Sequence, residues 1–196
     1  MTNKSILITV ICIGSMLPFS CIKEPSLVRL TSLDMTVGQA IIHPSGRIKF
    51  TEDVDSLSFE AKMFGLKLSI ATFDRIASLN FKNPMMYSAF AEDPGYVLDS
   101  NVDFISIKAS TAFTKNDDNY LIGDELNGLF VFGFNYRGSQ GHNEFIGLSQ
   151  EWKNYEDLLI KFDSQIDAPT ETVFTVVVIL ENGQNFALTS DTVKLY

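Results

Sequence analysis

The chain has 196 residues, 45% of them hydrophobic and among them sixteen Phe and six Tyr, which is enough to bury a substantial core and excludes a disordered chain. Its formal charge is −9, from 24 Asp and Glu against 15 Lys and Arg. The acidic balance, with no run of Lys or Arg, excludes nucleic acid and anionic lipid head groups as partners, because both need their phosphates neutralised.

The first residues read as a targeting segment. Lys4 supplies a positive start, and the uncharged, mostly apolar run from Ile6 to Phe19 has the length of a signal-peptide core. It is shorter than the roughly 20 residues a membrane-spanning helix needs. The junction Leu17-Pro18-Phe19-Ser20-Cys21 resembles a bacterial lipobox, in which a small residue precedes the cysteine that is acylated. Ser20 and Cys21 match; Pro18 stands where leucine is usual, with Leu17 one place further out. The resemblance implies a lipoprotein signal peptide over 1–20, lipidation of Cys21, a lipidated tether over 21–26 and a single domain over 27–196. One acyl chain anchors only marginally, but each buried CH₂ adds about 0.8 kcal/mol, so a triacylated cysteine holds firmly. Cys12 leaves with the signal and Cys21 is consumed by lipid, so the mature domain offers no disulfide, thiolate ligand or cysteine nucleophile. Lys23-Glu24 partly resembles the signal that sends some Bacteroidetes lipoproteins to the cell surface; an ordinary solvated tether fits equally well.

Beyond the tether, β patterns dominate. Leu57 to Met63 and Leu66 to Ile70 alternate apolar with polar, and Gly65 between them suits a bulge or turn. Ala71 to Leu79 suggests a short helical piece. Val102 to Ala109 alternates again, and Gly128 to Tyr136 is almost wholly apolar, as a central strand covered on both faces would be. From Glu144 to Phe162 the pattern is mixed, read as a helical turn to Trp152 and then a strand near Tyr155 to Phe162. Thr172 to Leu180 and Asn185 to Thr189 flank Asn182-Gly183, a hairpin expected to turn as type I′, and Thr192 to Tyr196 is read as extending the returning strand. Roughly six to eight strands with little helix predict a mainly β fold, an antiparallel β-sandwich, immunoglobulin-like or with a small closed barrel as the alternative.

The segments Asp99 to Ala109, Phe113-Thr114 with its acidic turn, Gly123 to Phe130 and the closing hairpin at Asn182-Gly183 resemble a family of small Bacteroidetes lipoproteins of about 200 residues whose domain has no known function. The resemblance covers the second half of the chain and the lipobox. It implies compartment and fold and transfers no active site.

Chemistry is sparsely signalled. The chain has two histidines, His43 and His142, both in turn-like contexts that suit solvated loop residues, and no Gly-x-Ser-x-Gly elbow nominates a serine. Two histidines without thiols do not make a structural zinc site. Asp53-Val54-Asp55 and Asp117-Asp118-Asn119 cluster oxygen ligands without the spacing of a calcium loop, and read better as turn formers. No cofactor, metal or catalytic residue is expected. Trp152, Tyr155, Tyr136 and Phe134 form an aromatic set that serves either the core or a sugar-stacking platform, with Trp152 and Tyr155 as the ligand-binding candidates. The leading expectation is an outer-membrane or surface lipoprotein held by its lipid anchor, with a non-enzymatic binding or structural domain for a protein or glycan partner. A small exported hydrolase using a carboxylate pair, and an adhesin or pilus-like subunit, are the alternatives.

Overall fold

Strand β1 (Ser26–Ile42) runs for 17 residues and pairs antiparallel with β4 (Phe64–Ala77) along most of its length. Side chains of a strand alternate between faces, so one extra residue reverses which parity points inward. In β1 the buried residues are Val28 and Leu30 and then Leu33, with Met35 and Val37 packed against the same core. The register shifts around Ser32 absorb that change: Thr31 is the extra residue on β1, and Ala71 follows as one on β4. The Thr31 and Ser32 hydroxyls each lie 2.7 Å from Thr72 Oγ1, pinning the irregularity.

The computed structural model describes residues 26–52, 57–77, 96–134, 139–141 and 157–196. Cys21, Asp53, Asp55, Tyr136, His142, Trp152 and Tyr155, and the helical turn expected before Trp152, lie outside them. With β2 (Ile48–Glu52), β10 (Leu158–Phe162), β9 (Phe130–Phe134) and β5 (Tyr96–Leu98) placed, the largest sheet has the order β2-β1-β4-β10-β9, with β5 parallel to the start of β1. The second layer is the sheet β13-β12-β6, built from β6 (Val102–Ala109), β12 (Phe174–Leu180) and β13 (Asn185–Thr189). A smaller sheet joins β11 (Thr170–Thr172), β14 (Val193–Leu195) and β3 (Ser58–Phe59), and β7 (Phe113–Lys115) pairs with β8 (Asp118–Tyr120). The architecture is the expected one: mainly β, sandwich-like, with a curled half-barrel.

Alternation explains the layers. In β12, Phe174, Val176, Val178 and Leu180 point inward and the residues between them are half-buried, meeting Ile105 and Ile107 of β6 on one side of the core. From the large sheet come Leu30, Phe64, Leu66, Leu68, Phe132 and Ile160. Aromatic rings thread this core in one continuous series. Phe59 to Phe64 is 5.6 Å between centroids, Phe64 to Phe174 5.1 Å, Phe174 to Phe130 5.9 Å, Phe130 to Phe162 5.1 Å, Phe162 to Phe113 6.3 Å and Phe113 to Tyr120 5.2 Å. Every sheet contributes to that series. Each such contact adds about 0.5–1.5 kcal/mol beyond area burial.

Several expectations are corrected. Ala71 to Ala77 is strand, not helix, because pairing with β1 overrides its local preference. Leu57 to Met63 gives only the two-residue β3, followed by a 3-10 turn over Ala61–Met63. Gly65 sits inside the ladder opposite Gly38 instead of making a turn; a Cβ there would lie 2.3 Å from that of Ala40, so only glycine lets the strands cross this closely. β9 is covered on both faces but ends the sheet path, its outer side meeting Gln140 through a bridge at Phe132. Thr192 to Tyr196 does not extend β13. The Ser190 hydroxyl accepts the Phe174 N–H and donates to the Asp191 carbonyl, turning the chain away so that β14 joins the other sheet.

Turn chemistry is also redistributed. Type I′ needs positive φ at both central residues; at the last hairpin only Gly183 has it, at φ 86°. Gly183 N–H donates to Leu180 C=O and Leu180 N–H to Gln184 C=O, each at 2.9 Å, which is a type I turn closed by a glycine bulge. The two-residue hairpin with positive φ at both positions lies between β7 and β8, at Asn116 (51°) and Asp117 (68°).

Candidate functional site: the cationic tip of the β1–β2 hairpin

The β1–β2 hairpin closes as the β12–β13 hairpin does. Gly46 N–H donates to His43 C=O and His43 N–H to Arg47 C=O, each at 2.8 Å, and Gly46 takes φ 80°. Pro44 fills the position where its fixed φ suits a type I turn. Ser139 N–H donates to Gly46 C=O at 2.6 Å, bracing the tip from outside the hairpin.

A cleft of about 370 Å³ opens here, lined by His43, Ser45, Arg47, Ile48, Lys49 and Phe50. The Ser45 hydroxyl lies 3.0 Å from His43 Nδ1, and Ser45 N–H donates to the same nitrogen at 3.3 Å. Nδ1 is therefore an acceptor, and in the neutral ring the proton resides on Nε2, leaving that nitrogen as a donor. Ile48 is buried with Ala40 and Leu159 in a small apolar cluster on the outer face of the large sheet, and Phe50 packs against it. The Phe50 ring lies over Gly38, where a Cβ would come 2.7 Å from Cζ.

Charge distinguishes this end of the molecule. From Met35 to Thr51 the chain carries no Asp or Glu, and the hairpin folds His43, Arg47 and Lys49 onto one cleft. Among the described residues, Arg47 and Lys49 form no ion pair, whereas Arg29, Lys67, Lys108 and Lys161 meet Asp99, Glu52, Glu125 and Asp163. A composition without a basic run thus still yields a local cationic surface, because a tight turn brings together residues that are spaced in sequence.

The other candidates fall elsewhere. His43 is an exposed turn residue, as its context suggested. Phe134 is buried in the main core and takes no part in a platform. Asp117 and Asp118 belong to the tight turn of β7–β8, where Asp167 accepts the N–H groups of Asn116 and Asp117 at 3.1 and 3.4 Å. Among the described residues no group of three or more His, Asp or Glu side chains is arranged to hold a metal ion. Arg47, Ile48, Lys49 and Phe50 were not singled out by sequence; the acid-free window around His43-Pro44-Ser45-Gly46 was the signal that could have found them. No family model, curated protein or solved structure matches the chain.

Proposed function

We propose that this chain is an exported lipoprotein, cleaved before Cys21 and held at the outer membrane by acyl chains on that cysteine, resembling the small Bacteroidetes lipoproteins, with a β domain that serves as a non-enzymatic binding or structural module. The observation that carries the reading is the course of β1. It begins at Ser26, four tether residues beyond Cys21, and ends at the hairpin cleft. Four extended residues reach at most about 14 Å, so the start of β1 would lie close to the lipid. Seventeen strand residues then give a contour on the order of 50 Å to the hairpin tip. An anchor at one end of a strand and a cleft at the other suit display of the cleft away from the membrane. Trp152 and Tyr155 are proposed as further partner contacts.

Cys21→Ser tests the anchor. The wild-type protein should partition into the membrane fraction with a mature mass that includes the acyl groups, and the variant should be released or left uncleaved while keeping a folded domain. A variant that stays in the membrane at unchanged mature mass overturns the anchor. Trp152→Ala tests the aromatic contact: loss of partner binding with little change in melting supports it, whereas a loss of about 3–5 kcal/mol in stability marks a core residue.

A further inference from the structure

We infer that the β1–β2 tip is a binding site for an anionic saccharide, one bearing carboxylate or sulfate groups. The inference rests on the reading of the domain as a displayed binding module and assigns the ligand class to its cleft. Three features converge there. Arg47 and Lys49 offer positive charge with no carboxylate partner among the described residues, and a guanidinium grips a carboxylate or sulfate by two parallel hydrogen bonds. His43, its ring orientation set by Ser45, presents an Nε2 donor beside the Ser45 hydroxyl, and such groups suit sugar hydroxyls. Phe50, half-buried and with Lys67 Nζ 5.8 Å from its ring centroid, lines the cleft and adds an apolar edge for the C–H face of a pyranose ring.

Size and openness favour a sugar within a chain. The cleft of about 370 Å³ is at the lower end of small-molecule sites, which run from roughly 300 to 1,000 Å³, and accommodates one or two sugar units. Among the described residues β2 is the edge strand of its sheet, so a polymer entering the cleft can continue past the edge. The molecule as a whole is acidic, and the stretch from Met35 to Thr51 carries no carboxylate to repel a polyanion at this tip. The contacts are exposed and screened by salt, so single-site affinity is weak and depends on repetition along the polymer.

The test uses the detergent-extracted mature protein on immobilised polygalacturonate, dextran sulfate and neutral dextran. Retention on one or both anionic polymers and not on neutral dextran, falling as NaCl rises, is expected, and the stronger arm tells carboxylate from sulfate. Arg47→Glu with Lys49→Glu should weaken retention by at least about tenfold. Arg75→Glu with Lys194→Glu changes net charge equally at exposed positions, one at the opposite end of β1 and one in another sheet, and should retain binding. Melting curves check that each variant folds; if the double reversal does not, Arg47→Ala with Lys49→Ala replaces it and should show the same loss. No retention on either anionic polymer, or equal loss in both double variants, overturns the site. Equal retention on neutral dextran overturns the anionic assignment while leaving the binding-module reading standing, and neither result bears on whether Cys21 is acylated.

Discussion

Lys161 shows how unevenly an ion pair can be shared. Its side chain is 7% exposed on the outer face of β10, with Nζ donating to Phe162 C=O at 3.0 Å and to Asp163 Oδ1 at 3.2 Å, whereas Asp163 is 55% exposed. Removing the lysine leaves a carboxylate that water can hydrate. Removing the carboxylate leaves a buried ammonium with one neutral acceptor among the described residues. Lys161→Met is therefore expected to change stability by less than about 1 kcal/mol, since an apolar replacement for a buried charge is often neutral. Asp163→Ala should cost about 1–3 kcal/mol, the range for stranding a buried polar group. Urea denaturation of both variants checks the order; a larger loss for Lys161→Met would mean that its aliphatic stem, and not its charge, holds this face together.

At the scale of elements, irregularities decide what the sequence reveals. Asn185 to Thr189 was legible because its alternation is unbroken, and β13 forms over it; Val102 to Ala109 was legible although a register shift beside Asp103 turns Phe104 outward, because Ile105, Ile107 and Ala109 keep one parity over the rest of β6. β1 was not legible: its inward set changes parity at Thr31, so no single period-2 template spans Val28 to Val37, and the cationic hairpin it carries went unread with it. β4 extends further than its clear alternation for the same reason, since the bulge at Ala71 separates Ile70 from Phe73. Deleting Thr31 should turn Val28 and Leu30, both fully buried, to the solvent face, or slip the strand; at about 1.5–3 kcal/mol per side chain this costs on the order of 3–6 kcal/mol in thermal or chemical melts. The hairpin residues were legible, but not the turn type, because Asn-Gly suits both type I′ and a type I turn with a glycine bulge. Substitution separates the two. With Asn182 outside the positive-φ region and its Oδ1 accepting the Gln184 N–H at 2.9 Å, Asn182→Gly should lose about 1 kcal/mol or more through greater freedom of the unfolded chain and loss of that bond; a gain in melting temperature would instead indicate type I′. Gly183→Val, at φ 86°, should cost at least about 1 kcal/mol.

Across the whole molecule, the ring series Phe59–Phe64–Phe174–Phe130–Phe162–Phe113–Tyr120 runs through all four separately paired sheets of the described residues and, with the aliphatic side chains around it, makes them one core. Among the described residues the large sheet and the β13-β12-β6 sheet share no ladder, so side-chain packing holds them together. Composition foretold the aromatic content but not its use, since the contacts link residues far apart in sequence. Cooperative unfolding is the consequence: far-UV circular dichroism, which follows the strands, and near-UV circular dichroism, which follows ring packing, should report the same transition. Phe64 is fully buried and touches both Phe59 and Phe174, so Phe64→Ala should cost about 3–5 kcal/mol. At about 2–4 °C per kcal/mol for a domain of this size, the melting temperature should fall by roughly 10 °C. Phe174→Ala removes the other half of the same contact, so the double variant should lose less than the sum of the single losses, with a coupling of about 0.5–3 kcal/mol. Strictly additive losses, or strand and ring signals that melt at different temperatures, would show that the layers are stabilised independently and that the ring series does not join them.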